Sequence, residues 1–216
     1  KPVNSLLITN IRIYIFIFPH LSNTGRVSSV CILSQIIPDL IHTLKTGWFL
    51  NLSLCHMQKE DYDAAKEDLG KLLKIAPRYT RAYLMRGEVS LKQKDTIQAL
   101  NDFETAIDMD RYDPDGWSAR AIVRLQQGKY TDAESDLDQA IHLSAKNAGN
   151  YINRALARFH QNNLRGAMSD YDLALDIDPN NFLGHYNRGL LRAQVGDDNR
   201  AIEDFDFVLK MELPHR

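Results

Sequence analysis

Cysteine is scarce in this chain, which has Cys31 and Cys55 alone among 216 residues. Neither lies in a spacing typical of metal binding or redox chemistry, so the sequence predicts no disulfide framework. The seven histidines are scattered, without a pair at i and i+4 or a carboxylate at metal-ligand spacing. Glycine-rich phosphate loops and nucleophile elbows are also absent from the sequence. We therefore expect no metal, no cofactor and no enzymatic activity.

Neither sign of charge dominates, and no long apolar run is present. The first 45 residues hold four basic and one acidic side chain, which leaves 22 basic and 27 acidic side chains in the remainder. A net negative charge does not suit a phosphate backbone, so no nucleic-acid partner is expected. The apolar stretch 6–18 contains Arg12 and is too short to span a membrane. No membrane insertion is expected, and the compartment stays open, with a soluble cytoplasmic or periplasmic protein as the expectation.

Alanine recurs in the chain at intervals of 34 residues, at Ala65, Ala99, Ala133, Ala167 and Ala201. With each alanine at position 20, five units follow one another without insertion or deletion. The units are residues 46–79, 80–113, 114–147, 148–181 and 182–215.

Other positions of the 34-residue unit are equally regular. Position 4 is aromatic or histidine, position 8 is small, and positions 24, 27 and 28 are mostly large and apolar. Their spacings of three, four and seven place them on helical stripes. Each unit therefore predicts two amphipathic helices, at about positions 2–14 and 17–30. Gly128 and Gly196 mark the turn inside a unit, and Pro77 and Pro179 mark turns between units.

These columns resemble the tetratricopeptide repeat, a helix-turn-helix unit of 34 residues, over about four fifths of the chain. The chain is most similar to the repeat arrays found in bacteria, with Arg at position 7. The resemblance implies an all-α solenoid, a right-handed superhelix of antiparallel helix pairs. It also implies that the first helices line a concave groove for a peptide or protein. Asp198 at position 17 and Ser144-Ala145 in a turn depart from the pattern and put only local turn geometry in doubt.

A column of arginines faces a column of aspartates in the predicted hairpins. Because unit one has an aspartate at position 23 but Leu52 at position 7, we predict that each aspartate pairs with the arginine of the following unit. The alternative is a set of solvated charges on a helix face. The predicted pairs are Asp68 with Arg86, Asp102 with Arg120, Asp136 with Arg154, and Asp170 with Arg188.

A second charged set follows the same period and is also interpreted as structural. It consists of arginines at position 11 and acidic residues at position 25. Both sets are expected to fix the register between stacked hairpins. The members of the second set are Arg124, Arg158 and Arg192, with Glu104, Asp138, Asp172 and Asp206.

The resemblance implies that positions 2, 5, 6, 9, 12 and 13 of each first helix face the groove. Leu84 and Ile152 have an alternative interpretation, as side chains that pack between first helices. A clamp for an acidic C-terminal tail is not expected, because position 5 contains no lysine. The candidate partner-binding residues are Arg81, Leu84, Glu88, Asp115, Ser118, Ile152, Asn153, His160, Tyr186 and Asn187.

Residues 1–45 do not fit the 34-residue pattern and are predicted to form a short irregular extension. Residues 11–18 are rich in β-branched and aromatic side chains and predict a strand. Residues 28–44 predict a helix interrupted near Pro38. The extension is interpreted as atypical capping structure on unit one, with a wrongly bounded gene product as the alternative. The first residue is Lys1, which suggests a processed chain.

The expected function is a non-enzymatic scaffold that binds a protein or peptide in its groove. The alternative is a structural module whose groove or open terminal repeat binds another copy. The C-terminal unit supports that alternative, because it is predicted to expose a face that needs a cover and to leave Asp204 unpaired.

Overall fold

The computed structural model describes the backbone of residues 26–212 and the side chains of residues 41–211. It divides into two compact parts, residues 1–48 and residues 49–216, which are treated separately below. All regular secondary structure in the described residues is α-helical. The helices are α1 (Arg26–Gln58), α2 (Tyr62–Ile75), α3 (Thr80–Lys92), α4 (Thr96–Met109), α5 (Pro114–Gln126), α6 (Tyr130–Leu143), α7 (Ala148–His160), α8 (Leu164–Ile177), α9 (Phe182–Gln194) and α10 (Asp198–Glu212).

In the first part the structure describes helix from residue 26 to residue 48. Helical backbone continues through Pro38, so the predicted interruption there is wrong. A proline removes one intrahelical hydrogen bond but leaves the bonds of the flanking turns in place. The strand predicted for residues 11–18 lies outside the described residues.

The second part is a continuous series of antiparallel helix pairs, which confirms the predicted all-α solenoid. Within a unit, α3 packs on α4, α5 on α6, α7 on α8 and α9 on α10. Between units, each second helix packs on the next first helix. The first helices also meet directly, α3 with α5 and α5 with α7. This closer approach places the first helices on the inner side of the stack, as the family resemblance implied.

Side-chain caps explain where several helices begin. Asp61, Asp95 and Asn163 accept hydrogen bonds from the backbone three residues later, at the start of second helices. Asn181 does the same for α9, Asp113 accepts from the backbone of Asp115 at the start of α5, and Pro114 occupies the first turn of α5. These caps satisfy backbone donors that no helical carbonyl can reach.

The alanine column lies at the centre of the helix pairs. Ala65, Ala99, Ala133 and Ala167 are completely buried. At position 8, Gly87 and Gly189 lie directly against the rings of Phe103 and Phe205 at position 24. A Cβ added to Gly189 would be 2.8 Å from Cε1 of Phe205. The small residue at position 8 therefore makes room for the large residue at position 24 of the same unit.

Candidate functional site

The arginines at position 7 pair with aspartates of their own hairpin. Arg86 donates from Nε to Asp102 Oδ2 at 2.9 Å and from Nη2 to Oδ1 at 2.6 Å. Arg120 makes the same two-point contact with Asp136, at 2.9 and 2.7 Å. The equivalent pairs in units four and five are Arg154 with Asp170 and Arg188 with Asp204.

The predicted pairing between neighbouring units at position 23 is therefore wrong. Among residues 41–211, no ion pair joins Asp68 to Arg86; Asp68 accepts instead from Nδ1 of His56, at 2.9 Å, in its own hairpin. Positions 8 and 24 pack against each other within a unit, so the preceding residues at 7 and 23 also meet there. Asp204, predicted to be unpaired, contacts Arg188 and Arg192.

The arginines at position 11 give the same carboxylates a second cation. Nη1 of Arg124 lies 2.7 Å from Asp136, and Nη1 of Arg158 lies 2.8 Å from Asp170. One helical turn separates positions 7 and 11, so both reach position 23, and the second charged set is divided between different partners. His56 stands at position 11 of unit one, where the other units with a cation there have arginine.

The ion pairs between units involve acids at positions 25 and 21, and Lys66 of unit one, which lies 3.1 Å from Asp95 of unit two. Asp138 pairs with Arg154 of the next unit at 2.7 Å, and Asp172 pairs with Arg188 at 2.8 Å. Glu134 pairs with Arg158 of the next unit at 2.7 Å. Ion pairs thus connect neighbouring hairpins, as the sequence predicted, but the residues that pair differ from the predicted ones.

Counter-charges favour the charged forms of Asp204 and Arg154. Burial opposes ionisation of Asp204, but hydrogen bonds from Arg188 and His185 outweigh it and lower the carboxyl pKa. Burial likewise opposes the charge of Arg154, yet its bonds to Asp170 and Asp138 raise its pKa. Groups held so firmly in one charge state are suited to structural ion pairs rather than to proton transfer.

Aromatic rings at position 4 cover the guanidinium groups of position 7. The Arg120 guanidinium lies 5.1 Å from the ring centre of Trp117, and the Arg86 and Arg154 groups lie 5.4 and 5.5 Å from Tyr83 and Tyr151. This cation–π contact shields the ion pairs from water. Sequence analysis missed it, although the i, i+3 spacing of the two columns is visible there.

The candidate groove residues of units two and three form a mixed, charged surface. Arg81, Glu88 and Asp115 are exposed, whereas Leu84 is buried between helices. Although the Glu88 side chain is exposed as a whole, partial desolvation of its carboxyl group raises the pKa, and the charge of Asp115 raises it further against the opposing effect of Lys92 and Arg81. The Ser118 hydroxyl donates to the carbonyl of Pro114 at 3.0 Å. The carboxylates of Glu88 on α3 and Asp115 on α5 therefore repel each other across the surface.

In unit four the candidates divide into buried and accessible side chains. Ile152 is buried in an apolar cluster with Leu191, as in its alternative interpretation as a packing residue. His160 is exposed and stacks on Tyr130, with ring centres 4.4 Å apart. Asn153 is half-buried, and its amide makes no side-chain hydrogen bond to any residue from 41 to 211. Asn153 is therefore available to a ligand, whereas Ile152 is not.

Helix α9 carries an apolar stripe that sequence analysis recognised only in part. Leu183, Tyr186 and Leu190 are 56, 42 and 47% exposed, at i, i+3 and i+7 on one face. Asn187 is half-buried beside this stripe, and its amide makes no hydrogen bond to the described side chains. Leu183 and Leu190 are absent from the predicted site residues, because they lie outside the apolar columns that repeat from unit to unit.

Within the described residues, no cluster of histidine, cysteine, aspartate or glutamate has the arrangement of a metal site. Cys55 is a free, exposed thiol. No described helix combines the length and apolarity that crossing a membrane requires. An open depression between turns is lined by polar groups, including Ser144, Asn147 and Asn181.

Comparison with curated proteins identifies a partial relative. FK506-binding protein 59 of Drosophila melanogaster is 27% identical over 82 residues, which are 35% of this chain and 19% of that protein. The chain thus spans about a fifth of the length of this relative.

Two solved structures illustrate the structural likeness. MamA 41-end from Desulfovibrio magneticus RS-1 has a TM-score of 0.68 and 18% identity, covering 78% of this chain and 95% of that chain. That identity shows the fold alone. The first TPR of Spaghetti (RPAP3), solved bound to the HSP90 peptide SRMEEVD, has a TM-score of 0.52 and 27% identity, covering 54% of this chain and 92% of that chain.

Tetratricopeptide repeat models match residues 49–79, 95–148 and 118–182. These stretches together include more than half of the 216 residues. They include the complete hairpins of units three and four, with the contacts of Arg120 to Asp136 and of Arg154 to Asp170. The chain belongs to the tetratricopeptide repeat family of protein-interaction scaffolds.

Proposed function

We propose that this chain is a non-enzymatic scaffold that binds a segment of another protein along its first helices. The observation that carries this proposal is the surface of α7 and α9, where two amides lie beside the apolar stripe of Leu183, Tyr186 and Leu190. Asn153 and Asn187 occupy the same position in successive units, and neither amide is used within the described residues. Amides spaced in this way suit backbone recognition, while the apolar stripe supplies affinity.

The partner segment differs from an acidic C-terminal tail. A lysine-based carboxylate clamp needs lysine at position 5, where this chain has Leu84, Ser118, Ile152 and Tyr186 in units two to five. The peptide bound by the Spaghetti repeat is acidic, so the 27% likeness supports peptide binding as a class but not that specificity. We propose a largely apolar segment as the ligand of this chain.

Capture from the native cell tests this function with matched baits. The groove variant carries Arg81→Ala, Tyr186→Ala and Asn187→Ala. The control variant carries Asp108→Ala, His142→Ala and Asp176→Ala, which are exposed on second helices at position 29. We expect the control bait to retain the partners of the wild type and the groove bait to lose them. Equal recovery by the groove bait would refute the assignment of this surface.

Self-association through the groove or the C-terminal unit is the alternative function. It is favoured by the exposure of apolar side chains on α10, notably Ile202 and Leu209. Light scattering of the purified chain over a wide range of concentration separates the two proposals. A constant monomer mass would exclude self-association, and a rising mass would favour it.

The remaining assignments are proposed on sequence grounds. We assign residues 1–45 to an extension and residues 46–215 to five repeats, on the alanine period. The arginine column at position 7 supports a bacterial origin.

A further inference from the structure

Position 9 of the first helices forms a series of side chains that we call the position-9 column. Its members are Leu54, Glu88, Ile122, Leu156 and Leu190. Leu54 and Ile122 are each 38% exposed, Leu190 is 47% exposed, and Leu156 is half-buried. The column thus presents one accessible aliphatic side chain per unit, except in unit two. The family resemblance assigns position 9 to the groove, on which the proposed function also rests.

Position 5, one helical turn earlier, gives a ligand less access in the middle of the array. Leu84 and Ile152 at that position are 8 and 6% exposed and belong to buried clusters. Side chains four residues apart lie on the same face of a helix. The aliphatic residues at position 5 therefore pack inside the array, while those at position 9 remain on its surface. Position 9 is where a ligand can contact every unit.

Glu88 interrupts the aliphatic column with a charge. Its carboxylate forms no ion pair or hydrogen bond with the side chains of residues 41–211. Lys92 and Arg81 favour its charged form without pairing with it, but desolvation and the charge of Asp115 disfavour that form more strongly. A residue that departs from the pattern of its column and lowers the stability of the free chain is typical of a site that serves binding.

The spacing of the column fits an extended ligand. Packed helices lie about 8 to 10 Å apart, and α3, α5 and α7 contact one another in series. A polyproline II segment has three residues per turn and rises about 9 Å per turn, so every third side chain meets the next unit on the same side. An α-helix covers that distance in about six residues, which is not a whole number of turns. An extended segment therefore matches the repeat of the column better than a helix does.

We propose that the position-9 column binds an extended segment of a partner protein that carries one basic residue and aliphatic residues at three-residue intervals from it. The basic side chain pairs with Glu88, and the aliphatic side chains pack on Ile122, Leu156 and Leu190. Apolar contact supplies affinity, and the single charge pair determines which ligand residue meets which unit. This specificity rests on the proposed function of the groove and names the chemistry of its ligand.

Selection from random peptides tests this specificity on the full chain. A phage library of random linear peptides is selected on the wild type, on Glu88→Leu and on Glu88→Lys. We expect peptides selected on the wild type to share a lysine or arginine with aliphatic residues at three-residue intervals. Glu88→Leu completes the aliphatic column and should select an aliphatic residue in place of the basic one. Glu88→Lys should select an acidic residue there.

Fluorescence anisotropy measures the affinity of the most enriched wild-type peptide, labelled with fluorescein. Glu88→Lys should weaken binding roughly tenfold or more, because it opposes two like charges. Glu203→Lys is the control, since it makes the same change of charge at an exposed position of α10, and it should bind as the wild type does. Added salt should weaken binding to the wild type more than binding to Glu88→Leu. Circular dichroism confirms that each variant is folded.

A variant at the other end of the column separates this specificity from the proposed function. Leu190→Asp should abolish binding of the same peptide. Binding that is lost in Leu190→Asp but unchanged in Glu88→Lys would overturn the specificity and leave the proposed function in place. Binding that is unchanged in Leu190→Asp, or a selection without enriched peptides, would overturn both.

Two further results would also refute the proposed specificity. One is a set of wild-type peptides that bind the groove but contain no basic residue. The other is a wild-type dimer that Leu190→Asp dissociates, because a second copy would then be the occupant of the column.

Discussion

At the scale of single residues, the buried aspartates at position 23 concentrate the electrostatics of the protein. Asp136 and Asp170 each receive two arginines from one helix. The charge of each carboxylate is balanced by two cations, whereas the two cations share a single carboxylate. Removing the carboxylate would leave two partly buried guanidinium groups facing each other without an anion between them.

Asp170→Ala should therefore lower the free energy of unfolding by roughly 3 to 5 kcal/mol, the cost of breaking a buried pair. Asp138→Ala removes an exposed carboxylate from Arg154 and should cost less than about 1 kcal/mol. Urea unfolding followed by circular dichroism measures both. Equal, small effects would mean that the position-23 pairs behave as solvated surface pairs.

Glu88 is expected to lower the stability of the fold at neutral pH, unlike the buried aspartates, because its surroundings disfavour its charged form. Burial and the charge of Asp115 raise its pKa above the ordinary value of 4.5. For a carboxyl group with a raised folded-state pKa, stability is fully present below the unfolded pKa and is lost as pH rises through the folded pKa. Glu88→Gln should accordingly raise the Tm at pH 7 and leave it unchanged near pH 3. Thermal melts at both pH values test this, and an equal shift at both would contradict it.

The sequence was sufficient to find the charged columns but not to choose their partners. An aspartate at position 23 lies 16 residues after the arginine of its own unit and 18 residues before that of the next. Linear spacing cannot separate these alternatives, since the crossing of the two helices decides which guanidinium group lies opposite. His56 offered a signal, because it places a cation at position 11 of the unit that lacks the arginine at position 7.

At the scale of helices and turns, position 15 has left-handed backbone in every unit. The φ angles are 59° at Glu60, 62° at Lys94 and Asn162, 72° at Gly128 and 82° at Gly196. The turn thus has one geometry, which the sequence marks with glycine only twice. Three units hold a side chain in a conformation that favours glycine.

Lys94→Gly should raise the free energy of unfolding by roughly 0.5 to 1 kcal/mol, because relief of left-handed strain exceeds the added entropy of the unfolded chain. Lys92→Gly, two residues earlier at the end of α3, is the control and should lower it by up to about 1 kcal/mol. Chemical denaturation measures both. A destabilised Lys94→Gly variant would show that the lysine side chain contributes more than the strain.

The packing of position 8 against position 24 couples the sizes of two residues in one helix pair. Gly189→Ala should cost roughly 1 to 3 kcal/mol by overpacking against Phe205. Adding Phe205→Leu recreates the Ala121 and Leu137 pair of unit three, so the double variant should lose less than the sum of the single variants. Gly70→Ala, with nothing within 4 Å, is the control and should not destabilise. Additive losses would show that the two positions are independent.

Periodicity predicted the helices well for a physical reason. Each unit buries the same stripe against the same neighbours, so the same residue types recur and five copies reinforce a loose motif. The helices at positions 1–13 and 17–30 follow the predicted ranges within a residue or two. The region before unit one has no such repetition, and the helix through Pro38 was accordingly mispredicted.

At the scale of the whole molecule, each described unit is stabilised chiefly by its own hairpin and its nearest neighbours. The stability of such an array is close to a sum of these local terms. The inner units have a neighbour on both sides, whereas the unit of α9 and α10 has a neighbour on one side only among the described residues.

Hydrogen exchange should therefore be faster in α9 and α10 than in α5 to α8, because the last unit opens without breaking a second interface. Mass spectrometry of exchanged peptides measures this gradient. Uniform protection along the array would contradict the nearest-neighbour description.

Because each buried aspartate pairs with cations of its own hairpin, the array can gain or lose whole hairpins. A hairpin that is copied or deleted carries its aspartate and the cations that pair with it, so no desolvated ion is left behind at the new junction. The ion pairs that must be made again are those between units, at positions 21 and 25, and each involves at least one accessible side chain. Gene duplication can thus lengthen this array by whole units without passing through an unstable intermediate.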